Sequence, residues 1–479
     1  MRVLFVYSDI SGAEYYGARK YYAGIGSLSA VLKAAGHRTA LLYLQRELDA
    51  DEFVAQAQAL APDLVAFSAT THQYPYIERY ARRLKERRPG LFTLCGGTHP
   101  TLVPDQVAAS SAFDAVCVGE GEYPLRDLTE HLERGQGPDG IANLWVRHGD
   151  AVTPHPMRPL IADLDELTFA DREVFEYDRL LAANDGWVDL ISGRGCPYNC
   201  SYCCNHALRR RYGGLGHYVR SRGVGHILAE VRALRARYAV KTLNFQDDVF
   251  TLDRDWVLAF CQAYAAECDL PFWVNSRVEQ LLDPEVVGAL AKAHCVGVRI
   301  GIENGNEELR TSVLRRRMSN ADIIAAVRLA KEAGLKIYTT NMIGVPGETP
   351  ETIEETIALN RALSPDEFQF SVFYPYPMTA LYDTCVAQNL IKPGAELTSY
   401  YGKESVLHLP TLSDAELRRG YERFAALSAE LALKRSNPIK YALYQWLLKL
   451  YRGDSPRLLR HLDALRRLRR LIGTQRAGN

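Results

Sequence analysis

The 479-residue chain has no excess of either charge. Its 57 Lys and Arg balance 57 Asp and Glu, which argues against a polyanionic partner drawn in by a global field. It also lacks a run of about 18 apolar residues, so no segment reads as a membrane-spanning helix. The opening Met1-Arg2-Val3-Leu4-Phe5-Val6-Tyr7 enters a strand at once, without the apolar run and small-residue cleavage site of a signal peptide. Ten cysteines show no dense small-domain spacing, so the compartment expected is the reducing cytoplasm, with buried thiols and one metal site. No G-x-G-x-x-G opens a helix after the first strand, which weakens a dinucleotide reading.

What is present centres on Cys196-Pro197-Tyr198-Asn199-Cys200-Ser201-Tyr202-Cys203. Cysteines at these spacings can place three thiolates around one face of an iron–sulfur cube and leave the fourth iron open. Zinc competes for the same residues, but it usually takes four N or S ligands in paired short spacings, and no second C-x2-C or H-x3-H follows. A disulfide framework needs an oxidising compartment. The cluster is the favoured reading, with Cys196, Cys200 and Cys203 as metal ligands. Adjacent side chains rarely reach two corners of one cube, so Cys204 reads as a packing thiol.

The flanking chain alternates strand and helix, which predicts an α/β protein. Across 1–140, apolar runs at 3–7, 41–44, 64–67, 92–95 and 115–118 predict a parallel, doubly wound sheet, whose ligands bind at the strands' carboxyl ends. Those ends carry Ser8-Asp9, Ser68-Ala69-Thr70, Gly96-Gly97-Thr98-His99 and Gly119-Glu120-Gly121-Glu122. Residues 141–185, with several prolines and acidic residues, read as a linker holding an edge hairpin near 144–152. Glycines on both sides of Arg194 relieve steric limits where a cluster must approach. Six further strands with five to six helices follow across 186–385. Residues 386–479 read as mainly helical.

The cysteine spacing, with an aromatic residue before the last cysteine, resembles the radical S-adenosylmethionine (SAM) superfamily, whose core is a partial (β/α)6 barrel. The Gly96–Thr101 and Gly119–Glu122 stretches, placed upstream of that loop, resemble the Rossmann-like cobalamin-binding domain of one large subfamily. Together the resemblances cover roughly residues 1–385. They imply a 4Fe–4S cluster, SAM chelating its open iron, and cobalamin near Ser68, Thr70, Gly96, Gly97, Thr98, Gly119, Glu120, Gly121 and Glu122. For SAM they imply Tyr202, Gln246 and a carboxylate, Asp247 or Asp248, in place of the family's Gly-Gly-Glu. Arg277 is implied at the SAM carboxylate with Arg220 as its rival, Glu303 near the SAM moiety, and Asn341, Val345 and Pro346 on the adenine side. Tyr374 and Tyr376 are the candidate catalytic residues lining the substrate pocket. Met378 stands where the family has glycine, which leaves that turn in question. The D-x-H-x-x-G pattern that gives cobalt a histidine in other B12 proteins is absent; His99 is a remote substitute, with a loop histidine bonded to backbone as the plainer role.

The activity implied is methylation of an unactivated carbon through a 5′-deoxyadenosyl radical and methylcobalamin. Cyclisation or rearrangement without methyl transfer is the first alternative. Methylthiolation lacks its second cysteine set, and a non-catalytic redox sensor would not need the polar strand ends. The partners implied are a small-molecule, lipid or natural-product substrate and an external electron donor such as flavodoxin or ferredoxin, with no nucleic acid. The run Arg209-Arg210-Arg211 reads as solvated or carboxylate-paired. From Lys434 onward twelve Lys and Arg face two Asp. Leu458, Leu462, Leu465, Leu468 and Ile472 alternate there with Arg466, Arg467, Arg469 and Arg470, behind Tyr441, Tyr444, Trp446 and Tyr451. This is a pattern for peripheral membrane contact, or for a helix docked on the protein with solvated arginines.

Overall fold

The computed structural model describes residues 1–10, 19–395 and 403–450. The chain divides into two compact units, Met1–Tyr421 and Glu422–Asn479.

The first unit opens with β1 (Arg2–Ser8), β2 (Arg38–Leu44), β3 (Leu64–Ser68), β4 (Phe92–Gly96) and β5 (Ala115–Cys117), in the spatial order β2-β1-β3-β4-β5. All their pairings are parallel. Every residue of β3 is buried, as a central parallel strand covered on both faces requires. The pleat sorts β1 between two cores: Val3 and Phe5 enter one apolar cluster, Leu4 and Val6 the other. Strand order reverses between β1 and β3, and ligands of such sheets bind in the crevice beyond their carboxyl ends.

The expected hairpin exists as β6 (Leu144–His148) and β7 (Ala151–Pro154). β6 runs antiparallel to β5, so the hairpin completes the first sheet. The connector beyond it lies on the same sheet's helices: Asp171 accepts from Ser29 Oγ at 2.6 Å and pairs with Lys33 Nζ at 2.9 Å.

β8 (Trp187–Leu190) then leads into a short ribbon of β9 (Gly193–Arg194) against β10 (Arg220–Ser221). β11 (Thr242–Phe245), β12 (Phe272–Ser276), β13 (Cys295–Glu303), β14 (Lys336–Ile343) and β15 (Glu367–Val372) follow. With β8 they form a six-stranded parallel sheet in chain order, connected by helices such as Val224–Arg237 and Arg254–Glu267. The end strands β8 and β15 do not pair, which leaves the expected partial barrel open along one seam. Val298, Ile300, Ile302 and Ile337 are buried on one face, while Arg299, Gly301, Glu303, Tyr338 and Thr340 on the other stay half-open. One apolar cluster runs from Val3 and Phe5 of the first sheet into Val188, Leu243 and Val274 of the second, so the two sheets share a core.

The second unit is helical where described: it takes the end of the helix Asp414–Ser436, and Pro438–Leu450 follows. Among the described residues no helix is long and apolar enough to cross a membrane. The stripe from Leu458 to Ile472, Tyr451 and the Trp446 side chain lie outside the described residues.

Candidate active site

The cysteine loop leaves β9 and ends at the helix Cys204–Arg211. Cys196 and Cys200 are buried, and Cys203 is half-buried. Ser201 anchors the loop: its N–H donates to Leu314 O at 3.1 Å, its hydroxyl to Val313 O at 2.5 Å, and its carbonyl accepts from Leu381 N at 2.9 Å. Val313 closes a π-helical turn, Leu309–Val313, a geometry frequent at functional sites. The sulfurs face donors. Arg277 Nη1 and Arg316 Nη1 stand 3.7 and 3.6 Å from Cys200 Sγ, and Asn205 Nδ2 3.6 Å from Cys203 Sγ. A hydrogen bond from the Cys204 thiol brings Cys203 down to about 7, against burial, and the same bond raises Cys204. Thiols facing guanidiniums and an amide fit an anionic metal–sulfur cluster. Among the described residues no three His, Cys, Asp or Glu converge on a single ion, and none need to, because a cube takes each thiolate at a different iron.

Arg277 and Arg316 meet at Cys200, with Tyr202 and Glu303 against Arg316. Arg277 lies 3.7 Å over the Tyr198 ring and pairs with Glu279 at 2.6 Å. Tyr202 accepts from Arg316 Nη1 at 3.3 Å, and Arg316 Nη2 donates to Gly301 O at 2.5 Å. Glu303 ends β13 just past a register shift and holds φ at +66°. A non-glycine residue there costs on the order of 1–3 kcal/mol, and such outliers cluster at active sites. Burial raises its carboxyl, opposed by Arg316 and by hydrogen bonds from Tyr202 and Thr340. Burial also works against the charge of Arg316, but Tyr202, Glu303 and Cys200 hold it protonated. Arg316 was not legible from sequence: it sits inside Arg315-Arg316-Arg317, and only its burial singles it out.

Other candidate residues take different places. The Asp247 carboxylate is spent on Ser192, accepting from its N–H at 3.0 Å and its hydroxyl at 2.7 Å. Asp248, next along, reaches solvent yet is raised by surrounding burial and hydrogen-bonds Asn205 beside the cysteines. Gln246 is exposed at the rim and donates to Asp189 at 3.1 Å. Asn341 turns behind the sheet, where Asn360 donates to it at 2.7 Å. Arg220 belongs to the junction described below. The glycines around Arg194 serve the β9–β10 ribbon: a Cβ at Gly193 would stand 2.8 Å from Arg220 O, and Gly195 takes φ +88° against Tyr218. The backbone approach they permit is the protein's own. Arg209 and Arg210 bond to carbonyl and amide oxygens rather than to carboxylates. Tyr374 and Tyr376 form an edge-on pair with centroids 5.3 Å apart, beyond β15. Met378 settles the turn by adopting φ +67° itself.

Val345 and Pro346 lie in a loop organised by Glu348. Its fully buried carboxylate accepts from Gly344 N, from Val345 N at 3.3 Å and from Asn304 Nδ2 at 2.7 Å. Burial outweighs these donors and raises it from its ordinary 4.5 to about 7. A carboxyl raised on folding stabilises most when protonated, and that contribution is lost as pH rises from the ordinary value through the folded one. Glu348→Gln does not titrate. Its unfolding midpoint should therefore gain on the wild type's as pH climbs from about 5 to about 8, by on the order of 3 kcal/mol at most. Parallel midpoint curves would show that the carboxyl titrates normally.

At the first sheet, Gly97 takes φ +107° and Gly119 φ +102°. A Cβ at Gly97 would stand 2.7 Å from Ala69 O, and one at Gly119 2.8 Å from Asn143 Nδ2. Ser68 hydrogen-bonds Tyr22, Thr70 N donates to Gln73 Oε1 at 2.9 Å, Thr98 opens a short helix and Gly121 precedes another. His99 stacks on Tyr74 at 4.4 Å, its backbone N–H bonds Ala69 O, and burial lowers it to about 4. Its Nε2 and the Ser8 hydroxyl are buried with no hydrogen-bond partner. Orphaned polar atoms at the strand ends of a switch-point crevice fit a bound ligand there.

Glu120 and Glu122 do something else. Arg194 Nη1 donates to Glu120 at 2.7 Å and Nη2 to Glu122 at 2.5 Å. Arg220 adds bonds of 2.9 and 3.1 Å to Glu120, and Ile161 N one of 2.9 Å. Burial opposes ionisation of Glu120, but Arg220 and Arg194 hold it below its usual range. These carboxylates tie the first sheet to the residues that launch the cysteine loop.

A B12 binding domain matches residues 18–129, and the Radical SAM superfamily matches residues 190–359. The chain thus joins a B12 binding domain to a radical SAM domain. It is 29% identical over 332 residues to an uncharacterised methyltransferase of Pyrococcus horikoshii, covering 69% of this chain and 71% of that one. It is 26% identical to an anaerobic magnesium-protoporphyrin IX monomethyl ester cyclase of Rubrivivax gelatinosus, covering 80% and 69%. Its fold matches the radical SAM methyltransferase TsrM of Kitasatospora setae with a TM-score of 0.69 at 19% identity, covering 89% and 88%. The solved TsrM holds cobalamin and a 4Fe–4S cluster.

Proposed function

We propose that this enzyme methylates an unactivated carbon of a small-molecule substrate, using a 4Fe–4S cluster, SAM and cobalamin. The observation that carries the reading is the ionic junction, which sets the strand-end crevice of the first sheet beside the cysteine loop within one compact unit. Cys196, Cys200 and Cys203 would hold the cluster, and Tyr202, Arg277, Glu303 and Arg316 the polar end of SAM. Of the two carboxylates open for the amino group, Asp248 would serve, because Asp247 is spent on Ser192, and the main chain of Val345 and Pro346 would take the adenine side. Ser68, Thr70, Gly96, Gly97, Thr98, Gly119 and Gly121 would line the corrin. When bound, these groups supply a hydrogen-abstracting carbon radical and a transferable methyl group. The half-buried Tyr374 and Tyr376 keep water from the substrate side. The pairing of the hairpin β6–β7 with β5 favours a cobalamin domain that runs to about residue 154 rather than 140. The free thiols suit a cytoplasmic site of action.

The P. horikoshii and K. setae proteins favour methylation, and the R. gelatinosus cyclase favours the cyclisation alternative. Anaerobically reconstituted enzyme, given hydroxocobalamin and desalted, should retain corrin absorbance. With methyl-labelled SAM and an extract of cells lacking the enzyme, label should enter an extractable product while 5′-deoxyadenosine accumulates. Deoxyadenosine and a changed product without label would establish cyclisation or rearrangement instead. No retained corrin would sink the cobalamin part.

A further inference from the structure

The cysteine loop has an outer surface as well as an inner one. Pro197 and Asn199 are exposed on it. Around them stand the helix Cys204–Arg211, the segment 314–317 and the segment 378–381. Arg209 donates to Pro197 O and Asn199 Oδ1. Arg210 Nη2 donates to Met378 O at 3.0 Å. The buried His206 ring accepts from Ala380 N at 3.0 Å and feels the charges of both Arg210 and Arg315. Arg317 follows, exposed, while Arg316 between them turns inward to Cys200. The hydrogen bonds of Ser201 to Leu314 and Leu381 tie these segments to the loop itself.

Arg209, Arg210, Arg315 and Arg317 pair with no carboxylate among the described residues, although the chain as a whole is charge-balanced. Glu279, near the loop, is taken by Arg277, and Asp248 by Asn205. Guanidiniums without a carboxylate partner therefore border the exposed outer side of the loop that carries the three thiols. We propose that this face docks a small acidic protein that carries one electron, on a flavin or an iron–sulfur centre. The inference rests on the cluster reading above. The step is balanced: the carrier is oxidised by one electron, the cluster is reduced by one, and no proton need move. Clustered positive charge would orient an acidic carrier and speed its encounter, with a strong dependence on salt.

The test is the triple variant Arg210→Glu/Arg315→Glu/Arg317→Glu in the full-length reconstituted enzyme, assayed for 5′-deoxyadenosine release. With dithionite as reductant, its rate should stay within about twofold of wild type. With reduced flavodoxin at low ionic strength it should fall about tenfold or more, and the wild-type flavodoxin-driven rate should itself fall as salt is added. An unchanged flavodoxin-driven rate overturns the docking face, even if the variant loses binding to RNA or anionic vesicles. An equal loss with both reductants also overturns it, by showing that these arginines serve the site itself. If wild type releases no deoxyadenosine with dithionite, the radical reading fails first and the docking face with it.

Discussion

Cys200→Ala should emerge from anaerobic reconstitution with most of its iron missing and SAM cleavage at background, and Cys196→Ala and Cys203→Ala should behave alike. Cys204→Ala should keep both. On the proposed reading each of the three cysteines would fill one corner of a site that leaves a single iron open for SAM. Losing a corner costs the cluster a covalent anchor that no neighbour replaces. The Cys204 thiol hydrogen-bonds Cys203, so on this reading it would support a ligand without being one. Iron content and deoxyadenosine yield, measured together, separate the cases. A Cys204→Ala protein without iron would move the ligand set by one residue.

The second large effect is expected at the junction between the sheets. Arg194→Gln leaves Glu122, only 5% exposed, with Ser27 at 2.9 Å as its remaining partner, and removes one of the two cations at Glu120. Breaking one side of a buried ion pair costs about 3–5 kcal/mol, because the survivor stays buried and charged. The thermal midpoint should fall by several degrees. Arg194→Met combined with Glu122→Leu should recover part of the loss, since apolar replacements of both partners remove the stranded charge. A single variant that melts with wild type would mean that the junction contributes no stability.

The fold was legible because apolar runs at strand spacing and capped helices act locally. Among the described residues, all fifteen strands lie at or beside apolar or glycine-rich stretches of the sequence. The site was legible where one segment supplies it, as at the cysteine loop. It was not legible where partners meet from far apart. Glu120 and Glu122 end a strand and so look like ligand contacts, yet their cation stands more than seventy residues away. Asp247 and Asp248 are neighbours at a strand end, and local sequence alone does not say which of them turns inward. Asn341 did carry a usable signal. Tyr338 and Thr340 share the open face, so period-2 alternation puts Asn341 behind the sheet.

The unpaired seam between β8 and β15 has a mechanical consequence. A closed barrel has its radius set by strand number and shear. A sheet with a free edge at each end can uncurl or tighten without breaking any ladder hydrogen bond. The width of this chamber can therefore follow the girth of its guest, while the cysteine loop remains fastened through Ser201 to the turn after β13.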